Sequence, residues 1–166
     1  KSNVMRYVGG LWRRVFDEVG GEYPDIEQDA MYVDAMAMDL VRRPERYQVI
    51  VASNLFGDIV SDLAAEITGG LGMAPSANIH PGRNALFEPV HGSAPDIAGT
   101  GRANPLGAIS CVGLLFDHFG YRDAAAQVDR AVVASFEAGK TTPDLGGDLS
   151  TEKVGSWILD YLSSSS

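Results

Sequence analysis

Basic residues are scarce in this chain. Its 166 residues include 13 lysines and arginines against 22 aspartates and glutamates, a formal net charge of −9. Polyphosphates and anionic membranes are held by basic faces, so neither a nucleic acid nor a membrane is an expected partner. A small anionic substrate stays open, because a local arginine cluster or a metal ion outweighs the global charge. Cysteine is limited to Cys111, which excludes an internal disulfide and suits a reducing, cytoplasmic setting. Cys111 and Met73 read as packing residues. No apolar run approaches the roughly 20 residues that span a bilayer. An initiator methionine is also absent: the chain opens at Lys1 directly into a helical pattern, and a cut through a larger protein is expected.

What is present is globular. The chain is 45% hydrophobic and 21% charged, so a packed core is expected. The stretch that organises it is 53–72, SNLFGDIVSDLAAEITGGLG. Asn54, Asp58, Asp62 and Glu66 recur every four residues and share one helical face. Leu55, Ile59, Leu63 and Ile67 form an apolar row, and Gly69, Gly70 and Gly72 end the helix. Carboxylates one turn apart repel each other unless a cation faces them, which makes Asp58 and Asp62 candidate ligands for a hard divalent ion. The plainer reading is a solvated acidic face. Gly57 argues against it, since a mid-helix glycine costs about 1 kcal/mol and suggests a close approach.

Before this stretch, Ser2 or Asn3 is placed to cap a first helix. Its apolar stripe is Val4, Val8, Leu11, Trp12, Val15 and Val19, ending at Gly20 and Gly21. Residues 26–33 alternate as a strand does, and 47–52 read as a second strand. Between them 35–43 form a short helix stopped by Pro44, with Asp34 read locally as its N-cap. The order is strand, helix, strand, helix, an α/β pattern.

After Gly72, residues 73–103 have no helical period and carry Pro75, Pro81, Pro89 and Pro95. A loop this long in a compact chain is usually functional. Within it His91, Gly92 and Ser93 offer backbone N–H groups and a hydroxyl with little bulk, a cradle for phosphate, although a lone histidine is more often structural. The stretch is not GxGxxG. Asn104 and Pro105 start a helix in the favoured order, with Ile109, Val112, Leu115, Phe116 and Phe119 inward and Gly120 at its end. Asp123 caps the next helix, with Val128, Val132 and Phe136 inward and Gly139 closing it. Residues 141–149 form a loop. Ser150 caps a last helix that buries Val154, Trp157, Ile158 and Tyr161, and a serine tail follows at 163–166.

Three stretches, SNLFGDIVSDLAAEITGGLGMAPSANI, FEPVHGSAPDIAGTGRANP and YVDAMAMDLV, resemble the β-decarboxylating dehydrogenases, the family of isopropylmalate, homoisocitrate, isocitrate and tartrate dehydrogenases. The opening KSNVM and the later DLGGDLST resemble further motifs of that family, and the resemblance covers nearly the whole chain. It implies an α/β fold, the C-terminal half of the isocitrate/isopropylmalate dehydrogenase-like fold, a sheet flanked by helices. Residues 1–70 would belong to the small dimerisation and substrate domain, and 71–162 to the large cofactor-binding domain. By motif, Lys1 matches the catalytic lysine. Asp34, Asp58 and Asp62 match the metal-binding aspartates, in place of the cap and the solvated face. Glu88, His91, Gly92, Ser93, Ala94, Asp96 and Asn104 match the cofactor loop.

The chemistry implied is oxidation of a 2-hydroxy dicarboxylate or tricarboxylate of the malate type by NAD, followed by loss of CO₂, with Mg²⁺ or Mn²⁺ bound at the substrate. Asp96 resembles the acidic residue of NAD-using members, where it meets the adenosine ribose hydroxyls and repels a 2′-phosphate. The family is a homodimer with shared sites. Lys1 and Asp34 would therefore serve a different site from Asp58 and Asp62 of the same chain, and the helix at 53–72 would help form the interface. The family protein is about twice this length, and its substrate arginines and catalytic tyrosine are not matched. Arg6, Arg13, Arg42, Arg43 and Arg83 lie outside the arginine motif, and Tyr32 and Tyr47 outside the tyrosine motif. The isolated chain is thus expected to be inactive. The alternatives are a non-catalytic half-protein serving dimerisation or nucleotide binding, and a metal-dependent hydrolase using the acidic row.

Overall fold

The computed structural model describes residues 1–82 and 84–164. Arg83 and the last two residues of the serine tail lie outside the described residues. The chain packs as two compact units, Lys1–Ala64 and Ala65–Ser166.

The first unit contains α1 (Arg6–Gly20), α2 (Val33–Arg42), a 3₁₀ turn at Pro44–Arg46 and most of α3 (Asn54–Ile67). Neither Ser2 nor Asn3 caps α1. Met5 holds that position without a side-chain bond, and residues 1–5 turn instead on the Lys1 carbonyl, which accepts from Val4 and Met5 at 3.0 and 2.8 Å. The expected stripe of α1 is not core: its members range from Trp12 at 44% exposed to Val4 at 70%. Trp12, Val15, Phe16 and Val19 line a shallow apolar groove with Tyr23, Ile26 and Val51.

The strands expected at 26–33 and 47–52 do not form, and the last residue of the first pattern, Val33, already belongs to α2. A strand needs a neighbour to pair its backbone groups. The described residues of this unit offer none, and Val49 is 90% exposed. The core here is small, with Met36 and Leu40 of α2 against Val60 of α3, flanked by Val33, Tyr47 and Leu63. The expected row on α3 is only partly inward: Leu55 and Ile59 are exposed while Val60 is buried. Gly57 meets only the Ala52 Cβ at 4.0 Å, so the protein itself makes no tight approach there.

Asp39 is the polar centre of this unit and is buried. It accepts from Tyr47 Oη at 2.6 Å, Arg43 Nε at 3.0 Å and Arg46 Nη1 at 3.3 Å, with a closer contact from Arg43 Nη2. The spacing of Arg43 four residues after Asp39 puts both on one side of α2. Pro44 and the short turn then bring Arg46 and Tyr47 back to the same carboxylate.

In the second unit, Gly70 N–H donates to the Ala65 carbonyl at 2.8 Å as α3 ends, with Gly69 and Gly70 at φ +117° and +92°. Only glycine adopts such angles without strain. The segment expected to lack regular structure contains an antiparallel hairpin, β1 (Pro75–Ile79) with β2 (Ala85–Pro89), Ser76 opposite Glu88 and Ala77 opposite Phe87. Three helices follow: α4 (Leu106–His118), α5 (Arg122–Glu137) and α6 (Thr151–Ser164). α4 packs on both strands and on α5, and α5 packs on α6.

Leu106, Ala131, Val132, Val154 and Ile158 form the core, with Met73, Leu149, Trp157 and Tyr161 against it. Cys111 is buried, as expected of a packing residue. The inward face of α4 differs from expectation: Val112 and Phe119 are exposed, while Leu106, Gly107, Cys111 and Gly113 are buried. α4 is apolar on most of its circumference, so spacing did not select a face. On α5, Asp123 lies in the first turn behind Tyr121 and makes no cap bond, and Phe136 is exposed while Ser135 is buried. Ser150 does cap α6, accepting from Lys153 N–H at 3.3 Å, and the helix runs on through Ser164.

The Asp39 carboxyl is held below its ordinary range, first by the Tyr47 hydroxyl and then by Arg43. A lowered folded value means that the contribution is complete above the ordinary carboxylate pKa of about 4 and is lost as pH falls through the lowered value. We expect thermal stability followed by circular dichroism to fall with acid below about pH 4, and Asp39→Asn to flatten that dependence. Identical acid profiles for the two proteins would remove Asp39 as its source.

Candidate active-site residues

Lys1 and Asp34 meet across 33 residues of sequence: Lys1 Nζ donates to Asp34 Oδ2 at 2.9 Å. Asp34 is not the cap of α2, since Tyr32 holds that position. It sits instead in the first turn, where free N–H groups and the helix dipole favour a carboxylate. Its carboxyl is held below the usual range, first by the Lys1 hydrogen bond and then by backbone N–H. The ammonium is 30% exposed and the carboxylate 61%, so the pair is open to a ligand from solution.

Asp58 and Asp62 lie one turn apart on α3, both exposed. Asn54 Nδ2 donates to Asp58 Oδ2 at 2.7 Å. Among the described residues neither aspartate forms an ion pair. Asp34 does not join them, and no three such side chains converge into a metal site within the described chain. The structure thus brings Lys1 to Asp34, keeps Asp58 beside Asp62, and does not merge the two pairs in one copy.

The expected cofactor residues lie along 88–104 in the second unit. Glu88 is exposed on β2. His91 Nδ1 meets the Gly92 carbonyl at 2.9 Å, and since a carbonyl only accepts, Nδ1 donates there. A Cβ on Gly92 would touch nothing within 4 Å, so the backbone there is open to an approaching group. Ser93 and Asp96 are exposed. Ala94 has φ +41° and ψ +62°, a left-handed conformation that costs an L-residue about 1–2 kcal/mol. It feeds the 3₁₀ turn Pro95–Ile97.

Asn104 is the most constrained member. Pro105, and not Asn104 as expected, holds the cap position of α4; Asn104 Oδ1 accepts from Leu106 N–H at 2.9 Å, and its Nδ2 donates to Asp144 Oδ2 at 2.9 Å. Beside it Gly107 N–H donates to the Gly72 carbonyl at 2.9 Å. A Cβ on Gly107 would sit 2.8 Å from that carbonyl oxygen, and one on Gly72 would sit 3.1 Å from both Asn104 Cβ and Asp144 Oδ2.

Asp144 and Asp39 were not singled out in the sequence. Asp144 lies in the motif DLGGDLST, and Asp39 precedes Arg43 by four residues; both signals were available. Gly107→Ala should push α4 off the Gly72 carbonyl and lower stability by about 1–3 kcal/mol, read as a lower denaturant midpoint. A midpoint equal to that of the parent would show that the turn at 70–73 yields freely.

Residues 1–158 match the family described as isocitrate/isopropylmalate dehydrogenase. The chain is 51% identical to the homoisocitrate dehydrogenase of Methanocaldococcus jannaschii, over 98% of this chain and 46% of that protein. It is 50% identical to the 3-isopropylmalate dehydrogenase of Thermobifida fusca, over 93% of this chain and 44% of that one. Among solved structures, the isocitrate dehydrogenase from Methylococcus capsulatus matches with a TM-score of 0.91 at 45% identity, covering 98% of this chain and 48% of that one. The β-decarboxylating dehydrogenase from Thermococcus kodakarensis matches with a TM-score of 0.81 at 43% identity, covering 99% and 48%. The chain therefore spans about half the length of the curated relatives it matches, and its helices and small sheet are part of an isocitrate dehydrogenase-type α/β fold. With nearly every residue inside the match, the chain belongs to the isocitrate/isopropylmalate dehydrogenase family.

Proposed function

We propose that this chain supplies the catalytic lysine, the metal-binding aspartates and the cofactor loop of an NAD-dependent, β-decarboxylating dehydrogenase acting on a malate-type 2-hydroxy acid. The observation that carries the reading is the 2.9 Å bond from Lys1 Nζ to Asp34 Oδ2, which joins the expected proton-handling group to an expected metal carboxylate across two separate segments.

Asp58 and Asp62 fit a hard cation such as Mg²⁺ or Mn²⁺: they offer carboxylate oxygens one turn apart with no basic partner among the described residues. Asp34 would complete the set across a homodimer, because it stands apart from them within one copy. When bound, the ion polarises the substrate hydroxyl and carboxylate and offsets negative charge that develops as CO₂ leaves. Lys1 Nζ would handle the proton in the reaction, and its bond to the Asp34 carboxylate would orient it in a site shared between two copies. Exposed Leu55 and Ile59 on α3 support an interface on that helix. In the second unit, the open backbone at Gly92 and the Ser93 hydroxyl would hold cofactor phosphate. The exposed Asp96 carboxylate would accept from ribose hydroxyls and disfavour a 2′-phosphate. Residues 1–70 would thus serve substrate and dimer, and 71–162 the nucleotide. A cytoplasmic setting agrees with the single, unpaired Cys111.

The test is an assay of the protein that carries this chain, with NAD, Mn²⁺ and a panel of 2-alkyl and 2-carboxyalkyl malates, following NADH. We expect turnover that a chelator abolishes, and Lys1→Met to lower kcat by about 10²–10⁴-fold. Turnover that persists without metal would overturn the reading. The 166-residue chain by itself is expected to give none, and robust NADH production by it would sink the requirement for a substrate-binding arginine clamp.

A further inference from the structure

Asn104, in the proposed cofactor loop, has both ends of its side-chain amide engaged by partners among the described residues. We propose that Asp144, which lies outside the cofactor loop, is a positioning residue that locks the orientation of the Asn104 amide and so sets how that amide meets the nucleotide. The inference rests on the reading of 88–104 as the cofactor loop.

An asparagine amide has an accepting and a donating end, and rotation by half a turn exchanges them. Here the exchange is forbidden on both sides. Oδ1 faces the Leu106 N–H at 2.9 Å, and Nδ2 faces Asp144 Oδ2 at 2.9 Å. Reversal would set donor against donor at α4 and acceptor against carboxylate at Asp144. The Leu106 bond alone would fix only one end; the carboxylate fixes the other and makes reversal costly.

Asn104 lies close against the turn at 70–73, where Gly72 leaves room for its side chain. A Cβ on Gly72 would already lie 3.1 Å from Asn104 Cβ and 3.2 Å from its Nδ2. The segment that carries Asp144 also anchors the loop beside Asn104. Thr151 N–H donates to the Gly101 carbonyl at 2.8 Å, and Thr151 Oγ1 donates to the Ala103 carbonyl. Each engaged amide end retains capacity, one lone pair on Oδ1 and one hydrogen on Nδ2. These remain as an adjacent acceptor and donor in a fixed order. The Asp144 bond is solvent-accessible, so its value lies in orientation more than in stability.

The experiment is a double-mutant cycle on the protein that carries this chain, with Asp144→Ala, Asn104→Ala and the pair, reading the NAD dissociation constant, KM and kcat. Asp144→Ala should weaken NAD about tenfold, the value expected when a charge-assisted hydrogen bond is removed, with KM rising more than kcat falls. Asp144→Asn, which retains an accepting oxygen, should recover part of the loss. In the Asn104→Ala background the Asp144 change should add nothing. An undiminished loss in that background would overturn the proposal, since Asp144 would then act on the nucleotide or the fold directly. Selective ¹⁵N-asparagine labelling reads the lock without a nucleotide: the Asn104 side-chain amide resonances should move on Asp144→Ala and stay in place on Asp148→Asn, a control in the same loop. Asn104 resonances unmoved by Asp144→Ala would also overturn it. Absence of NAD binding by the parent protein would instead defeat the cofactor reading, and the amide resonances would still decide the lock.

Discussion

The second unit depends on a contact with no room in it. Gly107, in the first turn of α4, gives its N–H to the Gly72 carbonyl at 2.9 Å, and a methyl group on Gly107 would fall 2.8 Å from that oxygen. Two glycines therefore let a turn and a helix touch backbone to backbone. The contact fixes α4 at the point where it must do two things. Leu106 enters the core with no exposed surface. Two residues earlier Asn104 keeps a partly accessible amide at the end of the proposed cofactor loop. Core and candidate site thus share one anchor, and a shift of α4 that loosens one loosens the other.

Carboxylates in the first unit separate into two kinds. Asp39 is surrounded by donors from Tyr47, Arg43 and Arg46, so its charge is already answered. Asp58 and Asp62 stand one turn apart with a single side-chain amide, from Asn54, on one of them. Unit charges at 4 Å cost about 1 kcal/mol in water and more where water is excluded. Asp58 and Asp62 are exposed and have no basic partner among the described residues, whereas Asp39 shows how the same residue type looks when its role is to hold the scaffold.

The parts legible in the sequence were those decided locally. α3, α5, α6, the Ser150 cap and the glycine stops at Gly120 and Gly139 follow from spacing and from backbone angles that few residues tolerate. The family motifs were legible as long, ordered runs that resemble a known family, and the match over residues 1–158 agrees with them. Features decided by neighbours were not legible. Residues 47–52 have the composition of a buried strand, but the described residues of that unit offer no partner for pairing. α4 is apolar nearly all round, so whether Val112 or Cys111 turns inward is settled by α5 and the hairpin, not by periodicity. The role of Tyr47, a 2.6 Å bond to Asp39, exists only after Pro44 reverses the chain, so spacing does not reveal it.

The exposed apolar faces bear on what the chain does alone. The α1 stripe, Leu55 and Ile59 on α3, and Val49 all stand in solvent, where each Å² left uncovered forgoes about 25 cal/mol. The apolar groove of Trp12, Val15, Phe16, Val19, Tyr23, Ile26 and Val51 is the part of this surface that gathers in one place, and the chain spans about half the length of the relatives it matches. The chemistry-bearing groups are placed differently. Lys1 is set by its bond to Asp34, Asp58 and Asp62 by one helix, and Asn104 by a glycine contact and a carboxylate. None of these placements relies on the uncovered faces. The proposed nucleotide contacts therefore rest on short-range contacts within the second unit, whereas the proposed metal set also depends on a second copy covering the face of α3.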